Sequence, residues 1–218
     1  MAATAKAYKG MGMEGGVARW YDRTTRKDTA EFQLLAKRIA DATTGPDVLE
    51  IAPGPGFLSI EMARRGLNAC AVDISKTFVE IARRNAAAEG VAARFEQGNA
   101  SALPIESASV DFVVCRAAFK NFTEPVKALA EMRRVLRPGG TALLIDMRRD
   151  ASMAELRRYV DGLGVNWFNR VFMMIVFRTM LIRRAYPLVE IRKMVAEAGW
   201  TTPRIDISPV GFEAWMTK

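Results

Sequence analysis

Three short runs along the chain carry almost no polar position: residues 48–52 (VLEIA), 69–74 (ACAVDI) and 110–115 (VDFVVC). Near-continuous apolar runs of this length predict strands buried on both faces, as in a parallel sheet. A fourth run, 141–147 (TALLIDM), follows an ArgProGlyGly turn at 137–140. Between the runs the period changes. Over 58–65, 76–89 and 125–136 apolar residues return every three or four positions, and Val126, Leu129, Ala130, Met132 and Val135 form the stripe of the last of these helices. A short strand over 93–96 fills the remaining place. Strands alternating with helices of this length predict βαβ units around a parallel sheet. Before them, 29–40 (TAEFQLLAKRIA) reads as a capped amphipathic helix. After them come helices at 151–160, 167–182 and 187–198, the last with Pro187 in its first turn and Gly199 as its stop. Strands at 203–207 and 211–216 close the chain. The expected organisation is one α/β domain: an N-terminal helical lid (1–45), a core (46–146), a helical cap after the fifth strand (147–200) and a strand pair (201–218).

Composition narrows the class. A chain of 218 residues with 50% hydrophobic and 26% charged side chains suits one globular α/β domain. The most apolar stretch, 171–177, is bounded by Arg170 and Arg178 and falls far short of the roughly 20 residues that span a bilayer. The first residues lack the apolar core of a secretion signal, and Cys70 and Cys115 sit in strand-like runs as buried free thiols, so the cytoplasm is the expected compartment. There is no histidine, which removes the commonest general base and the commonest transition-metal ligand together; no metal site is expected. The net charge of +8 is uneven: residues 46–146 hold 12 basic and 12 acidic side chains, whereas 147–193 hold 10 basic and 4 acidic. A neutral core with a basic appendage speaks against a nucleic-acid partner. In the cap, 167–184 is apolar on nearly all sides and flanked by arginines. That pattern fits a helix packed on the sheet edge, an apolar pocket lined by Met173, Met174 and Met180, or peripheral contact with an anionic membrane.

The chemistry concentrates in 48–66 (VLEIAPGPGFLSIEMARRG). A buried strand ends in AlaProGlyProGly and turns into a helix at Phe57. Gly54 and Gly56 let the loop turn tightly and let a ligand approach the backbone. Asp73 ends the second strand 23 residues after Glu50, where an open α/β sheet places an acid against the two hydroxyls of a ribose. The competing role for Asp73 is to cap the next helix. Ser59 stands where a dinucleotide loop has its third glycine, so a nucleoside without phosphates suits this loop better.

Together with AVDIS at 71–75 and the stretch from Gly98 to Gly140 (GNASALPIESASVDFVVCRAAFKNFTEPVKALAEMRRVLRPGG), these residues resemble class I S-adenosylmethionine-dependent methyltransferases. The small-molecule branch containing the ubiquinone and menaquinone biosynthesis enzymes is the most similar. The resemblance implies a Rossmann-like, seven-stranded, mostly parallel sheet flanked by helices. It implies that Glu50, Ala52, Gly54 and Gly56 line the methionine part of S-adenosylmethionine. Asp73 and Ile74 would hold ribose and adenine, Asn99 and Ala100 would face the adenine amino edge, and Cys115 and Arg116 would border the methionine amine through their carbonyls. Tyr21 resembles a tyrosine that closes over the cofactor. Three positions depart from the pattern: Ala52 for glycine, where little harm is expected, Asn99 for aspartate, and Lys120 for arginine.

Methyl transfer from a sulfonium is an in-line displacement that leaves S-adenosylhomocysteine, and it needs positioning more than a strong base. A chain without histidine suits it. Groups available to orient or deprotonate the acceptor are Tyr21, Asp22, Lys120, Asn121, Asp146 and Tyr186. The expected acceptor is a small apolar or anionic molecule. Two alternatives stand beside it: methylation of RNA or protein, and cofactor binding without methyl transfer.

Overall fold

The computed structural model describes residues 8–9, 12–26, 29–163, 167–177 and 182–218. Seven strands form one sheet: β1 (Asp47–Ile51), β2 (Asn68–Asp73), β3 (Arg94–Gln97), β4 (Val110–Arg116), β5 (Leu136–Met147), β6 (Arg204–Ile207) and β7 (Gly211–Thr217), in the order β3-β2-β1-β4-β5-β7-β6. Strands β1 to β5 run parallel to one another, while β7 runs antiparallel to both β5 and β6. The strand order grows from β1 to one side through β2 and β3 and then switches to the other side at β4, and the crevice beyond the carboxyl ends of β1 and β4 is where open α/β sheets bind ligands.

The helices are α1 (Gly15–Thr25), α2 (Thr29–Ala42), α3 (Phe57–Arg64), α4 (Lys76–Ala88), α5 (Pro125–Val135), α6 (Met153–Gly162), α7 (Trp167–Val176) and α8 (Leu188–Glu197). Successive strand residues point to opposite faces. Val48, Ala69, Phe112, Val114 and Leu143 face α2 and α3, where Leu35, Ile39, Leu58 and Met62 meet them. Ala71 and Phe95 continue that face against α4. Leu49, Ile51, Val72, Val113 and Leu144 face the other way, against Leu129 and Met132 of α5 and Ile191 and Val195 of α8. The sheet is covered on both sides, which is why its central strands read as unbroken apolar runs.

Two boundaries differ from the sequence expectation. The turn at 137–140 lies inside β5 as an irregularity: Val110 pairs with Leu136 but Phe112 with Thr141. Gly139, at φ +80°, takes the left-handed backbone this bulge requires. The long cap helix ends its regular part at Val176, and Ile182–Arg184 forms a separate 3-10 turn; 178–181, including Met180, lie outside the described residues. Met173 and Met174 pack with Phe177 and Ile182 against Leu156, Val160 and Val210, so these two methionines seat the cap.

Candidate functional site

Asp73 ends β2 with its carboxylate buried, one oxygen accepting the Ser75 N–H at 2.8 Å and the other the Gly54 N–H at 3.1 Å. It is not the cap of α4: Ser75 holds that place, its hydroxyl accepting from the Phe78 N–H at 3.1 Å. Asp73 instead fastens the glycine loop to the end of the neighbouring strand, leaving lone pairs for further donors. Burial pushes its carboxyl up to about 6, against the opposing pull of the Ser75 and Gly54 N–H groups. Beside it Ile74 is 39% exposed, an apolar side chain next to the buried acid.

Glu50, on β1, is also buried, and the Ser59 hydroxyl of α3 donates to it. Burial raises its carboxyl to about 7. The side chain at the place of a third glycine thus serves the acid of the first strand.

The two loop glycines divide the work. A Cβ on Gly56 would stand 2.8–2.9 Å from Ala82 and Phe95, so the loop packs against α4 and β3 there; at Gly54 the nearest atoms, from Tyr21 and Phe78, are 3.9–4.0 Å away. Gly56 is a packing and turning position, at φ +84°, and Gly54 is the one that leaves room above the backbone. Tyr21 lies over Gly54 with its ring edge-on to Phe78 at 5.9 Å. Its neighbour Asp22 is spent on bracing: it accepts from Asn85 Nδ2 at 3.0 Å and Arg26 at 3.2 Å, while the same Asn85 amide donates to the Pro55 carbonyl. The lid helix α1 is tied by this network to α4 and to the glycine loop.

Other positions named from the sequence take more varied places. Asn99 Oδ1 accepts the Ser101 N–H at 3.0 Å, so part of its accepting capacity is used locally. Ala100 packs on the core next to it. Cys115 is wholly buried in the sheet, and burial lifts its thiol far above the usual range; only its backbone can face a ligand. The Arg116 side chain turns to α2, donating to Glu31 at 2.6 Å and stacking on Phe32.

Lys120 and Asp146 are brought together. Lys120 Nζ donates to Asp146 Oδ1 at 2.8 Å and to the Ala117 carbonyl at 2.6 Å, and Asp146 also accepts the N–H groups of Lys120 and Met147. Both side chains are almost inaccessible, so each saturates the other and the pair clamps the turn Phe119–Asn121 to the end of β5. Asn121 is buried in that turn and makes no side-chain hydrogen bond among the described residues. Tyr186 stacks on Phe119 at 5.8 Å and accepts from Lys9 Nζ at 2.6 Å.

Sequence reading passed over Tyr8 and Lys9. The backbone of Tyr8 pairs with Phe122, and the Lys9 N–H donates to the Asn121 carbonyl at 2.8 Å. No periodicity surrounds them, so only the fold could bring them to the site. Among the described residues no group of three acids or cysteines is arranged to hold a metal ion.

A glycine loop, an acid ending the second strand and an apolar side chain beside it, set where the strand order switches sides, form the arrangement at which Rossmann-like α/β sheets bind ligands. Residues 49–144 match the model of the methyltransferase domain family, type 11. It is 38% identical over 107 residues to the demethylmenaquinone methyltransferase of Deinococcus radiodurans, covering 48% of this chain and 44% of that protein. It is 30% identical over 145 residues to the ubiquinone/menaquinone biosynthesis C-methyltransferase of Marinomonas sp., covering 64% and 53%. The chain thus spans about half the length of the curated relatives it matches. Over the whole fold it is similar to a Methanococcus maripaludis protein described as a candidate S-adenosyl-L-methionine-dependent methyltransferase (TM-score 0.76, 21% identity, covering 96% of this chain and 95% of that one). A SAM-dependent methyltransferase from Aquifex aeolicus is also similar (TM-score 0.66, 18% identity, 92% and 96%).

Proposed function

We propose that this protein is an S-adenosylmethionine-dependent methyltransferase acting on a small, apolar or anionic acceptor of the quinol or phenol type. The observation that carries the reading is Asp73, whose two oxygens are anchored by Gly54 and Ser75 and keep lone pairs for further donors. Two ribose hydroxyls donating to one carboxylate are charge-assisted bonds. Ile74 supports the flat face of adenine, Gly54 and Glu50 border the methionine part, and Tyr21 covers it. When bound, S-adenosylmethionine supplies an electrophilic methyl group on a sulfonium.

The chain's own contribution is positioning and exclusion of water, which in well-oriented systems is worth roughly 7–11 kcal/mol of the barrier. The Lys120–Asp146 clamp holds the turn after β4 against the end of β5, and Phe119, Phe122 and Tyr186 make the adjoining wall aromatic. The curated relatives with quinone-pathway names support a quinol-type acceptor.

The basic cap supports a lipid surface as a further partner. Trp167, Val171 and Ile175, four residues apart on one face of α7, are 66%, 42% and 56% exposed. Arg157, Arg158, Arg183 and Arg184 are exposed nearby and form no ion pair among the described residues. No described helix is long and apolar enough to cross a membrane, so such contact would be peripheral.

Calorimetry with S-adenosylhomocysteine tests the cofactor, and a labelled-methyl screen over 1,4-naphthoquinols, phenols, thiols, amines and RNA tests the acceptor. Saturable binding with label on a quinol or phenol is the expected result. Absence of binding overturns the cofactor reading, and label on RNA overturns the acceptor class.

A further inference from the structure

The structure assigns Tyr8 to the methyl acceptor: we propose that its phenol hydroxyl donates a hydrogen bond to an oxygen of the acceptor and that Lys9 and Tyr186 hold it in position. This rests on the reading of the site as a methyltransferase.

Three observations converge on it. Tyr8 is pinned by backbone pairing with Phe122, at the end of the turn after β4, and the neighbouring Lys9 N–H is bonded to the Asn121 carbonyl. Lys9 then reaches across with its ammonium, donating to the Tyr186 hydroxyl at 2.6 Å and lying 5.1 Å from the centre of that ring. Tyr186 is itself fixed, its backbone bridged to Arg148 just beyond β5 and its ring against Phe119. The segment 8–9 therefore links the turn after β4 to the residues just past β5.

The groups whose charges act on the Tyr8 phenol belong to four separate elements. They are Arg184 of the cap, Asp73 at the end of β2, Tyr21 of the lid helix and Asp146 at the end of β5. Asp73 and Tyr21 belong to the cofactor side, while Arg184 and Asp146 belong to the cap side. The acceptor of an in-line transfer must lie between those two sides, behind the methyl group, and the backbone pairing with Phe122 places Tyr8 beside the turn after β4 that adjoins this space. Burial holds its hydroxyl above the usual phenol range, so at neutral pH it stays protonated and acts as a donor.

The test uses the full-length protein, with methyl transfer to a 1,4-naphthoquinol as probe and, should that probe fail, to whichever phenol, thiol or amine the screen finds labelled. Tyr8→Phe keeps the ring and loses only the hydroxyl. It should raise KM for the acceptor by about tenfold, the loss expected when a buried hydrogen bond to a polar or charged oxygen is removed. Its affinity for S-adenosylhomocysteine and its melting temperature should stay at the wild-type values. Lys9→Met should raise the same KM by a smaller factor through loss of positioning. If Tyr8→Phe retains the wild-type KM and kcat, the assignment is overturned while the methyltransferase reading stands. If wild-type protein binds S-adenosylhomocysteine but labels no probe, the acceptor reading falls and this assignment falls with it. An equal loss of cofactor affinity in Tyr8→Phe would place the residue on the cofactor instead, and would also overturn the proposal.

Discussion

Ala52 and Ala117 come directly after β1 and β4, the two strands between which the strand order switches sides, and both hold a left-handed backbone at φ +57° and +58°. A Cβ in that region is disfavoured by roughly 1–2 kcal/mol. The substitution of alanine for the usual glycine at 52 looks mild in side-chain volume, and the structure shows that its cost lies in the backbone. Ala52→Gly should stabilise the protein by about 1 kcal/mol, read from the midpoint of urea unfolding; an unchanged or lower midpoint would show the strain to be absent. The two buried acids make a second prediction. Their folded-state carboxyls stand at about 7 for Glu50 and about 6 for Asp73, above the values of an unfolded chain. Their contribution to the stability of the ligand-free protein is therefore complete below about pH 4 and is lost as pH rises through 6 to 7. Cofactor affinity should run the other way, because ribose hydroxyls favour ionised Asp73. At pH 5, one unit below the Asp73 value, S-adenosylhomocysteine should bind about tenfold more weakly than at pH 7.5, measured by calorimetry. A flat profile would argue that the acid does not meet the ligand. Asp73 was legible in the chain because its place at a strand end follows from the pattern. Its role in fastening Gly54 was not, since the two meet only when β1 and β2 pair.

At the scale of elements, the Lys120–Asp146 pair joins a turn to a strand with both charges removed from water. Breaking such a pair on one side leaves a buried charge and costs roughly 3–5 kcal/mol. Lys120→Met should show that loss in chemical denaturation. The double variant Lys120→Met with Asp146→Asn, which keeps an acceptor for the residue-120 N–H without the charge, should recover most of it. If the single variant costs nothing, the clamp is not a structural element. For the cap, anionic phosphatidylglycerol vesicles should sediment the protein at low salt and release it at high salt, whereas neutral phosphatidylcholine vesicles should not. Trp167→Ser should weaken the interaction, as expected of an aromatic anchor at a lipid interface. Equal sedimentation with both lipids, or none with either, would remove the lipid surface as a partner. Helices α2 to α5 were legible because one apolar stripe meets one sheet face. The 3-10 turn at Ile182–Arg184 was not, because a segment apolar on nearly all sides carries no period that marks where its helix stops.

For the molecule as a whole, the strand order decides where chemistry can occur. β1 and β4 are neighbours although β2 and β3 intervene in sequence, and this opens the crevice in which loop, lid, clamp and cap meet. The lid helix is braced to the glycine loop through Asp22, Asn85 and Pro55, so ligand binding should be felt globally. At 100 times its dissociation constant S-adenosylhomocysteine should add about 2.7 kcal/mol of stability, seen as a rise in melting temperature; no rise would mean no binding to the folded state. The chain by itself determined the class of sheet, the seven strands, the glycine loop and the acid at Asp73. These depend on periodicity and on spacing within one βαβ unit, and local interactions enforce both. Tertiary structure alone decided that Gly56 packs while Gly54 stays open, that Lys120 and Asp146 neutralise each other, that Asp22 is a brace and that the backbone of Tyr8 pairs with Phe122. Each of these depends on contacts between residues far apart in sequence, made only when the sheet closes its order and excludes water from between them.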